Sequence, residues 1–214
     1  MTAIVDLTAG LLPLRNQGTR PTCMAIAFSE LHQFAKGLTE HLSAEYLYRA
    51  AARRMPTWVP DAEGLSLGSG VDALANDGQP IEVACPYQPQ EPVEMPPALP
   101  ILGSGSVYTA NSSAAWMDLD AVTDRIKDGK PVGVLVHVTD TFLDPKSDIV
   151  ADSTLVPTSG SHAVVAAGYG THKISKEPHV LVRNSWGPNW GKQGMAWLPR
   201  AYLLKHGIAY FEVQ

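Results

Sequence analysis

The apolar positions change rhythm part-way along the chain. From Cys23 onward, Ile26, Leu31, Phe34, Ala35 and Leu38 recur at threes and fours, with Phe28 off the stripe and Gly37 closing the run. That spacing predicts a helix over Cys23–Lys36, started by Thr22 and buried on most sides. Pro21 keeps Arg20 out of helical conformation. Ser43 precedes a second helical run that begins Ala44-Glu45-Tyr46-Leu47-Tyr48, and Val71–Asn76 reads as a short third one ending near Gly78. A fourth helix is expected over Leu119–Lys127, capped by Asp118 and ended at Gly129. The pattern then turns to strands rich in valine and aromatics: Val132–Val138, Ala163–Tyr169, His179–Arg183, Met195–Leu198 and Ile208–Val213. Helices first and strands later indicate an α+β fold. Residues 1–21 read as extended segment and loop, Glu63–Gly70 as a glycine-rich stretch, and Asp152-Ser153-Thr154 as a loop. The proline-rich residues 86–105 are the expected boundary between two lobes, a helical one over about 20–100 and a β-rich one over about 101–214.

Composition narrows the function classes. A chain of 214 residues with 45% apolar and 17% charged positions can bury a sizeable core without staples. The net charge of −5 comes without any long like-charge run, and Arg15, Arg20, Arg53 and Arg54 are too scattered to form a basic stripe, so nucleic acid is not an expected partner. No apolar run approaches membrane-spanning length, and no membrane partner is expected. Met1–Asp6 has no basic region ahead of its apolar residues and makes a poor signal peptide. Only two cysteines, Cys23 and Cys85, point to a reducing, cytoplasmic compartment. They lie far apart and no histidine pair is close to them, so neither a metal nor a cofactor is expected.

The candidate chemistry centres on Cys23. A thiol at a helix start meets partial positive charge and unpaired N–H groups, both of which favour the nucleophilic thiolate. Gln17, six positions earlier, offers a side-chain N–H to an oxyanion, together with the Cys23 backbone N–H. Of seven histidines, His162 has the setting of an acid/base: Gly160-Ser161 before it, Ala163 after it, and an apolar strand beyond. His32, inside the first helix, reads as a partly exposed helical residue. His172, His179 and His206 read as loop or strand-edge positions. Asn184 can accept a hydrogen bond from one ring nitrogen of His162 and turn the other toward sulfur, with Trp186 covering that bond from water. Each residue alone has a bland explanation in packing or solvation. Their order along the chain, each in a distinct setting, is what shifts the balance.

With these residues in place, the chain resembles the papain-like cysteine peptidases (the C1 family). The resemblance is carried by Gln17-Gly18-Thr19-Arg20-Pro21-Thr22-Cys23, by Ser161-His162-Ala163-Val164-Val165-Ala166-Ala167-Gly168-Tyr169-Gly170, and by Asn184-Ser185-Trp186-Gly187-Pro188-Asn189-Trp190-Gly191. His162 follows Cys23 by 139 positions and Asn184 by 161. The resemblance implies Cys23 as nucleophile, His162 as acid/base, Asn184 as orienter and Gln17 as oxyanion donor. It implies two lobes, a helical left lobe and a β-barrel-like right lobe with an interlobe active-site cleft, the N-terminal segment crossing over. It also implies substrate contacts at Gly68, Leu135, Ser161, Ala163 and Trp186, and an apolar or medium side chain two residues before the cut. The chain departs from the pattern in having Met24 after the nucleophile and Arg20-Pro21-Thr22 in place of a small-residue and cysteine run. The missing half-cystines are similar to bacterial, disulfide-free members. No inhibitory pro-segment stands ahead of Asp6, so the expectation is either that activity is held back by other means, such as a separate inhibitor or regulatory partner, or that a pro-segment was removed.

The preferred function is therefore a cysteine endopeptidase acting on a peptide or protein substrate through an acyl-enzyme. Two others use the same features. One is a thiol acyltransferase or deamidase serving a dedicated protein partner. The other is an inactive peptide-binding module, which Met24 and the unusual 20–22 segment favour. Cys85, beside Pro86 and Tyr87, reads as a small buried thiol.

Overall fold

A computed structural model describes residues 1–60, 64–103, 105–145, 148–151 and 159–214. Glu63 and the Asp152-Ser153-Thr154 loop lie outside the described residues. Internal contacts divide the chain into two compact units: a helical unit of Gln17–Ala114 with Val213–Gln214, and a sheet unit of Met1–Asn16 with Ala115–Glu212. The boundary thus falls inside a strand near residue 114. The proline-rich 86–105 segment lies wholly within the helical unit, because several of its carbonyls and side chains bond to that unit's helices.

The N-terminal strand β1 (Thr2–Asp6) belongs to the sheet unit. In the helical unit, α1 (Cys23–Lys36) has every residue from Met24 to Gln33 buried, and Gly37 ends it at φ 62° in the left-handed region. The side chain of Thr22 does not cap it. Its hydroxyl pairs instead with the Tyr87 hydroxyl at 2.7 Å. α2 (Ala44–Ala52) starts as expected, Ser43 Oγ accepting from the Tyr46 N–H at 3.0 Å. α3 (Leu67–Asn76) begins four residues earlier than the apolar pattern suggests, because Ser66 Oγ accepts from the Ser69 N–H and caps it there. Glycine within α3 has a packing reason: a Cβ on Gly70 would lie 2.6 Å from the Phe28 ring of α1. Strands β2 (Gln79–Pro80) and β3 (Val107–Tyr108) form a two-stranded antiparallel pair.

His32 corrects the expectation of a partly exposed helical residue, since it is fully buried. Its Nδ1–H donates to Gln79 Oε1 at 3.0 Å, while Gln79 Nε2 donates to Ser29 Oγ at 2.5 Å and to the Ser43 carbonyl at 2.9 Å. The helical period could not show this, because the partner comes from β2, 47 positions away.

The chain enters the sheet unit through β4 (Ser112–Trp116). Next come α4 (Leu119–Lys127), β5 (Val132–Val138), α5 (Asp140–Leu143), β6 (Ser159–Thr171), β7 (Pro178–Arg183), β8 (Met195–Pro199), α6 (Arg200–His206) and β9 (Gly207–Val213). Asp118 caps α4 by accepting from the Asp120 and Ala121 N–H groups. Among the described residues the sheet runs β4-β9-β5-β6-β7-β8, with β1 antiparallel to β6. Alternate residues of β5 (Val132, Val134, Val136, Val138) join Val164, Ala166, Val180, Val182, Ala196 and Leu198 in one apolar core. α4 and α6 cover it with Val122, Ile126, Tyr202 and Leu203. His179 and His206, expected at loop or strand edges, are both buried, on β7 and at the end of α6. Among the described residues no helix is long and apolar enough to cross a membrane.

Burial pushes the His32 pKa below the ordinary histidine value and nearby Lys36 acts the same way, against the Gln79 hydrogen bond. Neutral His32 therefore stabilises the fold fully above about pH 6.5, the unfolded value. That contribution is lost as pH falls through the lower folded value. His32→Leu should cost about 1–3 kcal/mol at pH 8 by leaving the Gln79 oxygen unpaired. Its deficit against the wild type should shrink steadily below pH 6.5 in urea unfolding. A deficit that stays constant with pH would contradict the assignment.

Candidate active site

The residues singled out from the sequence fall into two groups. Gln17 and Cys23 belong to the helical unit, whereas His162, Asn184, Trp186, Leu135, Ser161 and Ala163 belong to the sheet unit.

In the helical unit Cys23 is the first residue of α1 and is partly exposed. Gln17 is buried, and its Nε2 donates to the Arg20 carbonyl at 2.7 Å. The Gln17 carbonyl accepts from the Tyr87 hydroxyl at 2.8 Å, so both ends of the residue are held. Cys85 contrasts with Cys23. It is buried, and burial pushes its thiol pKa up, which keeps it protonated and unreactive. Gly68 does not fit the expected role of pairing with an extended substrate. It lies in the first turn of α3, where the Ser66 cap has already made the backbone helical, and the extended backbone is at Ser66 itself.

In the sheet unit the antiparallel register sets the site. Val165 of β6 pairs with Arg183 of β7, which places His162 and the residues following Arg183 at the same end of the sheet. His162 Nε2–H donates to Asn184 Oδ1 at 2.6 Å. The Ser185 N–H donates to the same oxygen at 2.7 Å, which fixes the amide so that its oxygen faces the ring. An amide oxygen only accepts, so the proton of the neutral imidazole sits on Nε2 and Nδ1 is left with its lone pair. His162 is 4% and Asn184 2% exposed.

Aromatic rings dry this bond. Trp186 lies over His162 with centroids 4.5 Å apart, and Phe142 meets both edge-on at 5.9 and 5.6 Å. Trp190 packs on Phe142 at 5.1 Å and its Nε1–H donates to the Phe142 carbonyl. Trp186 is held by a bridge to Asn16. Gly187 makes that approach possible: its φ is 76°, and a Cβ there would sit 2.9 Å from Asn16 Nδ2. Phe142 was not legible as a site residue in the sequence. The one local signal was Thr139 ahead of it, which caps the short α5 that carries the ring.

A second feature of the sheet unit is the row formed by Ala209, Leu135 and Ala163, paired across β9, β5 and β6. It lies on the face of β5 opposite the valine core. Ser161 pairs with the exposed His137 one step along.

Against known sequences, the profile described as papain family cysteine protease matches residues 75–212, well over half the chain. The chain belongs to the papain family. Bovine pro-cathepsin H is 31% identical over 112 residues, 51% of this chain and 29% of that protein. A cathepsin L-like proteinase of Fasciola hepatica is 37% identical over 80 residues, 37% of this chain and 24% of that protein. The chain thus matches less than a third of the length of these relatives. Both are animal proteins, so the bacterial character read from the missing half-cystines finds no support in them. The fold superposes on the Carica candamarcensis cysteine protease CMS1MS2, solved in complex with E-64. That match has a TM-score of 0.76 at 21% identity and covers 98% of this chain and 97% of that one.

Phe142→Ala removes a fully buried ring that touches His162 and both indoles. It should cost about 3–5 kcal/mol in denaturant unfolding. Tryptophan emission of the native state should also shift to longer wavelength, as Trp186 and Trp190 gain water. Unchanged emission would show that Phe142 does not shield them.

Proposed function

We propose that the chain is a cysteine endopeptidase that cleaves peptide bonds through a thioester on Cys23. The observation that carries the reading is the His162–Asn184 hydrogen bond beneath Trp186. A ring whose Nε2 proton is held by an amide has one defined job for Nδ1, which is to take a proton and return it.

The steps follow from these residues. His162 Nδ1 takes the Cys23 proton, and the first turn of α1 favours the thiolate that results. The sulfur attacks the substrate carbonyl carbon, and the C=O π pair moves to oxygen. The Gln17 amide and the Cys23 backbone N–H donate to that oxyanion. Collapse breaks the C–N bond, and His162 gives its proton to the leaving amine. Water then attacks the thioester, its proton passing to His162, and the C–S bond breaks to release the acid and regenerate the thiolate. Asn184 keeps the imidazolium aligned throughout, and the indoles keep water from competing for the bond.

Leu135 and Ala163, with Ser161 at the margin, form the subsite for the side chain two residues before the cut. Its apolar lining fits an apolar or medium-sized side chain. The substrate is accordingly a peptide or protein. With Cys23 and Cys85 both as thiols, a reducing compartment suits the enzyme.

Cys23→Ala and His162→Ala should each abolish hydrolysis of a fluorogenic peptide, and a peptidyl epoxide should label Cys23 alone by intact mass. Gln17→Ala should lower kcat about 10²–10³-fold. Turnover surviving in both Cys23→Ala and His162→Ala rejects the mechanism. Clean labelling without cleavage of any peptide would favour acyl transfer or deamidation of a dedicated partner instead. A peptide library should show an apolar preference two residues before the cut, and a preference for charge there would refute the subsite.

A further inference from the structure

We infer that Arg20 is a positioning residue for the oxyanion donor, acting through a buried ionic pin that holds the Gln17 side chain; the inference rests on the mechanism just proposed. Arg20 is 1% exposed, which is rare for a guanidinium. Its Nη1 donates to Glu45 Oε2 at 2.5 Å and its Nε to Glu91 Oε2 at 2.5 Å, both carboxylates being almost wholly buried. Nη1 also donates to the Gln88 carbonyl. The guanidinium lies against two rings, its carbon 5.1 Å from the Tyr48 centroid and 5.0 Å from that of Tyr87. Tyr48 in turn donates its hydroxyl to Glu91. Burial alone would lower the Arg20 pKa, but the hydrogen bonds and charges of Glu45 and Glu91 more than reverse this, so the group stays cationic.

Such a site is over-built for holding a loop. It anchors the Arg20 side chain on two carboxylates, and the backbone of that anchored residue is what Gln17 uses. The Arg20 carbonyl accepts from Gln17 Nε2 at 2.7 Å and from the Thr22 N–H at 2.9 Å. One N–H of the Gln17 amide is thereby committed to Arg20, which fixes the plane of the amide and the direction of its second N–H. Tyr87, the ring on one side of the guanidinium, closes the circuit by donating its hydroxyl to the Gln17 carbonyl and pairing with the Thr22 hydroxyl next to Cys23. The Gln17 amide is thus joined, through the carbonyl and guanidinium of Arg20, to the pair of buried carboxylates. An oxyanion donor displaced by a fraction of an ångström loses most of its effect, because its value comes from being aimed before the charge develops. Arg20 thus occupies the stretch where the family resemblance expects a cysteine, and supplies by charge and stacking a rigidity that the missing half-cystine cannot.

The test is a double-variant cycle on peptide hydrolysis, with alkylation of Cys23 by iodoacetamide as a control that needs no oxyanion. Arg20→Met should lower kcat about 10–100-fold with KM changed less than about threefold and the alkylation rate within about twofold. In a Gln17→Ala background the same substitution should change kcat less than about twofold, because the donor it positions is gone. Arg20→Lys should fall between, since an ammonium cannot bridge two carboxylates and stack on two rings at once. Tyr87→Phe keeps the ring but removes the bond to the Gln17 carbonyl, and covers the case in which Arg20→Met does not fold. It should lower kcat several-fold, again only when Gln17 is present. Effects that persist undiminished in Gln17→Ala, an alkylation rate that falls in step with hydrolysis, or a folded Arg20→Met with wild-type kcat would each overturn the inference and leave the peptidase reading intact. A wild-type chain that cleaves no peptide would overturn both.

Discussion

The candidate site of the sheet unit is built on a hydrogen bond only 2.6 Å long, from His162 Nε2 to Asn184 Oδ1. In water such a bond is worth little, because the ring and the amide each have competing partners. Here both residues are almost completely enclosed, and the cluster of Phe142, Trp186 and Trp190 supplies the enclosure. A low-dielectric surrounding strengthens the bond and also makes breaking it expensive. The tautomer of His162 follows, and with it the direction in which the imidazole can accept a proton. The antiparallel register of β6 and β7 delivers these two side chains to one end of the sheet, and Gly187 lets the chain approach Asn16, whose bridge holds Trp186.

The helical unit solves a different problem by a different means. Gln17 lies in a loop, where backbone freedom would ordinarily blur the aim of a side-chain amide. Its amide bonds to the carbonyl of Arg20, a residue whose side chain is held by buried carboxylates. Ions of this kind seldom add net stability, since desolvation offsets much of their attraction, yet removing one partner of a buried pair costs about 3–5 kcal/mol. The balance therefore favours a single geometry over a deep minimum. Glu45 serves two cations at once, pairing with Arg49 on α2 at 2.7 Å while its other oxygen reaches Arg20.

Local periodicity carried much of the fold. α1, α4 and β5 run over the residues that spacing marks out, because each has a strong stripe or alternation and a clear stop signal, although the Thr22 cap expected for α1 does not form. The elements that escaped were short or governed by distant partners. β1 is a strand because β6 offers it an edge, and its own residues are mostly exposed. α5 spans one turn and rests on a single threonine cap. The site residues separate in the same way. His162 and Asn184 were legible because small residues, an apolar strand and an aromatic turn surround them in sequence. Buried His32 was not, and neither was the setting of Arg20, since Gln79, Glu45 and Glu91 lie 47, 25 and 71 positions away.

The match to the papain family covers residues 75–212, which include His162 and Asn184 but not Gln17 or Cys23. The segment outside it contains the one run, Arg20-Pro21-Thr22, whose residue types differ most from expectation. If that run were merely loosened by drift, its side chains would be exposed and its backbone bonds few. Instead Arg20 is among the most enclosed large side chains of the chain, and Thr22 is fully buried. A departure in sequence that coincides with a buried polar network is a replacement with its own internal logic. Glu45, Tyr48, Tyr87 and Glu91 all meet the Arg20 guanidinium, so the five form one network.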